Sequence, residues 1–138
     1  MEAVRIPFTT DGDGEATVYT GRVAGVVFAI HIDHGSGTTE LENTVNITVT
    51  DDATGATIFG LTDISASGRY LVLNQAVNAS GVPIADVYSG PPVVGRLKVV
   101  VTDADGTPGD GDPRDGSITV YMDGSTSEAT AFAERVLS

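Results

Sequence analysis

The sequence predicts an all-β fold, an antiparallel β-sandwich or small barrel of about seven or eight strands. Three observations support this. β-Branched and aromatic residues alternate with polar ones over short runs, clusters of Gly, Asp, Asn and Pro punctuate those runs, and no helical pattern is interleaved between them. At 138 residues the chain reads as one domain, 1–138. It is long enough to bury a core without disulfides, which a chain with no Cys requires.

Val4, Ile6 and Phe8 alternate near the N-terminus, and Pro7 among them favours a sheet edge, because proline lacks the N–H of an inner ladder. Residues 1–15 are expected to form an arm. Strands are expected over 16–20 and 22–33, with Gly21 and Gly25 as bend or bulge points. Residues 44–50 place Val45, Ile47 and Val49 on one face and Asn46 and Thr48 on the other, and the turn at 51–55 joins them to a strand at 56–61 as a hairpin. A strand at 69–74 precedes a long turn-rich stretch, 78–92. Strands at 94–102 and 117–123 flank a Gly/Asp loop. The last segment, 125–138, changes character. Ser125 and Glu128 have capping-box spacing, and Ala129, Phe132, Val136 and Leu137 keep helical spacing, so a short C-terminal helix or docking arm is expected.

Nineteen acidic residues against seven basic ones give a net charge of −12. Such a surface repels phosphate and the basic residues are scattered singly, so nucleic acid and anionic membranes are not expected partners. Self-repulsion of this size destabilises a compact domain in dilute buffer. At molar salt the Debye length falls to roughly 3 Å and the penalty fades. The composition, rich in Asp, Thr, Val and Gly with Lys98 as its one lysine, is similar to that of halophilic proteins of haloarchaea and their viruses. An ordinary acidic protein of a GC-rich bacterium or phage is the alternative. The N-terminus shows no signal-peptide pattern, and the longest apolar stretch, 23–32, is far short of the roughly 20 residues of a membrane helix. Synthesis in the host cytoplasm is expected.

Catalytic signals are weak, and no enzyme is expected. Cys, a nucleophile elbow and a phosphate-cradling loop are all missing from the sequence. His31, Asp33 and His34 lie together at a strand end, but alternation sets His34 on the opposite face from the other two. The most suggestive metal pattern is the loop bearing Asp103, Asp105, Asp110 and Asp112, where calcium is the candidate ion. It opens like an EF-hand and then departs, with glycine too early, Pro108 intervening and Arg114 where a bidentate Glu belongs. Asp11 and Asp13 form a lesser acidic pair, and Asn46 and Asn78 match the N-glycosylation pattern.

Between about Gly37 and Met122 the layout resembles that of small virion proteins of tailed phages. The likeness is carried by TELENTVNITVT at 39–50, GATIFGL at 55–61, RYLV at 69–72, GVP at 81–83, VGRLKV at 94–99 and ITVY at 118–121. The Pro-Arg that often follows the aromatic in such proteins is replaced here by Leu71 and Val72. The resemblance implies a capsid decoration (cement) protein, a β-sandwich that binds the major capsid protein and copies of itself, a trimer being the common form. Together with the acidity it implies a virion component of a haloarchaeal tailed virus. A neck or tail component and a calcium- or carbohydrate-binding module are the alternatives. On this view Val4, Ile6 and Phe8, together with Phe132, Val136 and Leu137, are the expected interface residues, unless they pack on the chain's own core.

Overall fold

The computed structural model describes residues 2–42, 45–72, 74–77, 80, 83–104 and 111–123, with backbone alone for 74–77 and 83–89. The alternating patterns fold as two antiparallel sheets packed face to face, an all-β sandwich. Strands β1 (Glu2–Thr9), β11 (Asp115–Asp123), β3 (Gly25–Asp33) and β6 (Gly68–Leu71) lie in that order in the first sheet, and β9 (Pro92–Val93) also pairs with β3. The second sheet runs β2 (Ala16–Arg22), β10 (Arg96–Thr102), β4 (Val45–Asp51) and β5 (Thr57–Ile64). Strands β7 (Asn74–Val77) and β8 (Pro83–Ser89) form a separate two-stranded ribbon.

Period-two patterning decides which side chains go inward. From the first sheet come Val4, Ile6 and Phe8, then Ile118, Val120 and Met122, then Val27, Ile30 and Ile32; the second contributes Val45, Ile47 and Val49 with Leu97, Val99 and Val101. Each such side chain contributes about 1.5–3 kcal/mol when fully buried. The stretch expected as an N-terminal arm is, over Glu2–Thr9, an edge strand paired with β11. Pro7 on that edge fits the sequence expectation.

Three ladder irregularities were built by particular residues. β2 carries one extra residue opposite Leu97, at Thr20–Gly21, so Gly21 does mark a bulge. The Thr20 hydroxyl accepts from Leu97 N–H at 2.9 Å and so satisfies a donor at the bulge. On β3, Phe28 is the extra residue between the Ala29–Tyr121 and Val27–Met122 pairs. On β5, a shift between the Val45 and Ile47 pairings coincides with a positive φ of 55° at Asp63.

The expected strand at 69–74 stops at Leu71, and the turn-rich stretch 78–92 contains β8 and β9. β6 and β9 lie along one edge of β3. Val72 N–H donates to Phe28 C=O at 2.9 Å, and Val27 N–H donates to Pro91 C=O at 3.1 Å. The chain therefore leaves this edge after Val72, forms the β7–β8 hairpin, and returns one β3 residue further along. Gly90 permits the return, because a Cβ there would run into the Val27 carbonyl. This excursion raises the number of strands among the described residues to eleven, above the expected seven or eight. The expected C-terminal helix, 125–138, lies outside the described residues.

Candidate protein-binding surface

The two ends of the sandwich differ in chemistry. At one end β1 stops at Thr9 opposite Asp115, β3 at Asp33 opposite Ser117, and β10 at Thr102 opposite Asn46. The loops beyond them are acidic, and they are tied together by backbone bonds. Thr10 N–H donates to Arg114 C=O at 2.8 Å, Ala104 N–H to Gly14 C=O at 3.0 Å, and Glu42 N–H to Ala104 C=O at 2.7 Å. Arg114 is buried among them. Its guanidinium donates to Thr38 C=O at 3.0 Å and lies 3.2 Å from the Glu42 carboxylate. The residue standing where an EF-hand places its last carboxylate is thus the chain's own cation.

The proposed calcium ligands do not assemble among the described residues. Asp103 adopts a φ of 58°, and its carboxylate accepts from the Asn46 amide at 2.9 Å. Asp112 is exposed, whereas Asp105 and Asp110 lie outside the described residues. Among the described residues no three His, Cys, Asp or Glu side chains converge on a metal position. Asp11 turns its carboxylate onto its own loop, accepting from Asp13 N–H at 2.9 Å and Glu15 N–H at 3.1 Å. The Asn46 side chain is committed to structural bonds, and Asn78 lies outside the described residues.

The histidines also separate. His31 pairs across the sheet with Arg69 and Thr119 and is half-buried, whereas His34 is buried. His34 holds the Ile64 carbonyl through Nε2 at 3.0 Å and turns Nδ1 toward Glu40, 3.7 Å away. Nε2 is the donor in this bond, since a carbonyl oxygen only accepts. Asp33 accepts from Gly35 N–H at 3.0 Å and faces solvent. His34 acts here as a strut between β3 and the β5 terminus.

The opposite end carries exposed apolar side chains beside fewer acids. Among the described residues the exposed large hydrophobics are Val26, Leu71 and Val94, with relative exposures of 41%, 72% and 59%. All three lie where the β7–β8 hairpin leaves and rejoins the sheet: Leu71 ends β6, Val94 follows β9, and Val26 pairs with Pro92. The bulge at Phe28 places its ring on the outer face of the first sheet, 6.5 Å from the Tyr121 ring. The Arg69 guanidinium lies 5.2 Å from the Tyr121 ring centre, within cation–π range. Phe28, Ala29, Arg69, Leu71 and Tyr121 line a shallow groove there. Two of the acidic groups at this end, Asp51 and Asp52, are occupied within the fold, while Asp123 is exposed opposite Val26 and Glu2 is half-buried opposite Met122. Asp52 pairs with Arg96 at 2.7 Å, and the buried Asp51 accepts from Ala53 N–H at 3.0 Å and Val94 N–H at 2.9 Å.

Val4, Ile6 and Phe8 are spent on the chain's own core, because alternation on an edge strand still turns one face inward. Phe132, Val136 and Leu137 lie outside the described residues. Val26, Leu71 and Val94 were not anticipated. The sequence does carry a signal for them: consecutive apolar residues, as in Val26-Val27, Leu71-Val72 and Val93-Val94, put one member on the solvent side of a half-buried strand.

No family model and no curated protein matches the sequence. Among solved structures, FLHE is similar over 86% of this chain and 94% of its own, at 13% identity and a TM-score of 0.39. The infectious bursal disease virus Gt strain structure is similar over 94% of this chain at 12% identity and a TM-score of 0.38, and the Gx strain over 95% at 12% and 0.36. The chain spans about a third of the length of those two viral chains, 33% and 34%. Likenesses of this strength carry no functional argument.

Proposed function

We propose that this chain is a non-enzymatic structural protein of a virus particle, binding and stabilising the major capsid shell as a decoration or cement protein. The observation that carries the protein-binding part is the concentration of exposed Val26, Leu71 and Val94 at one end of a sandwich whose other end is acidic. Exposed apolar residues gathered beside aromatic and Arg side chains suit a protein partner. The separation of His31 from His34 supports a non-catalytic role. The virion part rests on the phage-like order of segments between Gly37 and Met122, and the haloarchaeal setting on the charge of −12.

Mechanically, a rigid sandwich bridging capsid subunits stabilises a shell through summed interface burial. Quantitative mass spectrometry and cryo-electron microscopy of purified particles test the reading. Many copies distributed over the shell are expected. A single ring of copies would move the protein to the neck or tail, and absence from purified particles would remove the virion assignment.

A further inference from the structure

Water faces apolar side chains at the root of the β7–β8 hairpin, and three independent features bear on what covers them. Charge comes first. The chain carries −12, so two copies repel through any face that displays their acids. At the hairpin root Asp52 is paired with Arg96 and Asp51 is buried, and the further described acids of that end, Glu2 and the exposed Asp123, are fewer than those carried by the loops at 11–15, 33–42 and 103–115. Residues 73–90 contain one ionisable acid, Asp86, and no base. A cationic partner would be drawn to the acidic loop end. A like-charged partner meets fewer acids at the hairpin root than at the loop end.

The second feature is the ribbon itself. β7 and β8 pair with each other and join neither main sheet. A two-stranded hairpin is marginal alone in water and gains stability from a third strand or a packing surface. The third is the side-chain chemistry nearby. Leu71 stands beside Phe28, Tyr121 and Arg69, and aromatic and Arg residues are enriched where interfaces bury.

We propose that a second copy of this chain covers Val26, Leu71 and Val94, with the β7–β8 hairpin beside them in the contact. This inference rests on the protein-binding reading above and gives this patch to a second copy, leaving contact with the shell to other surfaces of the assembly. Light scattering and sedimentation of the full chain in molar KCl test it, with Leu71→Asp and Val94→Asp as variants. Wild type is expected to show at least twice the monomer mass. Each variant is expected to raise the dissociation constant at least about tenfold, since buried interface anchors cost more than this when disrupted. Melting temperature checks the fold, and should either aspartate unfold the chain, Leu71→Ser and Val94→Thr decide the same question. Asp13→Asn, at the acidic end, is expected not to weaken association.

A wild-type chain that stays monomeric at high micromolar concentration overturns the proposal, as does an oligomer unaffected by these substitutions. A monomer whose stability, rather than mass, responds to Leu71 and Val94 would give the patch to the chain's own residues 124–138, which follow Asp123 opposite Val26, and would likewise overturn it. Presence in particles is measured separately, so failure of self-association and failure of the virion reading are distinguishable.

Discussion

The Asn46 side-chain amide joins Asp103, whose carboxylate accepts from it at 2.9 Å, to Asp63, whose N–H donates to its carbonyl at 3.0 Å. Asp63 and Asp103 are the non-glycine residues with positive φ among the described residues. One asparagine thus fastens two left-handed backbone turns on β5 and after β10. Asn46→Ala is expected to cost about 0.5–1.5 kcal/mol in urea denaturation, because two hydrogen bonds are lost at positions that water can reach. Asp63→Gly should stay within about 0.5 kcal/mol, since only its backbone N–H makes the bond and glycine accepts its φ.

Asp51 links the β4–β5 turn to the β9–β10 connection by accepting from Ala53 and Val94 N–H groups. Its removal strands both donors. Asp51→Ala is therefore expected to lose about 2–4 kcal/mol, with Asp51→Asn recovering part of it through one remaining acceptor oxygen. Gly95→Ala should also destabilise, because its Cβ would lie 2.5 Å from the Ala53 Cβ and 2.8 Å from the Asp51 carboxylate. Thermal unfolding of the three variants checks the order.

Arg114 and Glu42 differ in burial, with side-chain exposures of 10% and 43%. Arg114→Met should cost about 1–3 kcal/mol, because it removes the guanidinium bond to Thr38 as well as the ion pair. Glu42→Gln should cost under about 1 kcal/mol, its charge being screened by solvent. Equal losses from the two in chemical denaturation would contradict this account of the acidic end.

The hairpin is predicted to be separable from the sandwich. Val72 and Pro91 bond to adjacent β3 residues, so a short glycine-containing linker can replace residues 74–89 and still close the edge. The excised variant should keep its far-UV circular dichroism in the β range and melt cooperatively. Gly90→Ala, in contrast, should lower the melting temperature of the full chain, since overpacking against fixed backbone costs about 1–3 kcal/mol.

Calorimetry across a salt series addresses the charge of −12. Melting temperature is expected to rise steadily from millimolar to molar KCl, as screening removes repulsion among the acidic loops. A flat profile would contradict a salt-adapted surface.

The strands were legible because alternation and turn residues are local signals. Ile47, Val49, Leu97, Val99 and Val101 all face inward as their spacing requires, and 51–55 forms the expected hairpin turn. Less legible was anything set by pairing partners distant in sequence. β6 and β9 share an edge only because both meet β3, and the hairpin between them reads in the sequence as turn signals. Arg114 breaks the metal-loop pattern in the sequence, and only its distant contacts with Thr38 and Glu42 show its role in the fold. Exposure of Leu71 depends on which of two consecutive apolar residues the β3 ladder turns inward, and that is fixed by non-local register.

Acids crowd the loop end more than the hairpin end, so the described charges are unevenly distributed along the strand axis. In the field of any acidic surface such a body experiences a torque as well as a repulsion. The torque turns the carboxylate loops away and presents Leu71 and Val94 first. In dilute buffer approach would be oriented before contact, whereas at molar salt, with a Debye length of roughly 3 Å, the orienting field is screened away.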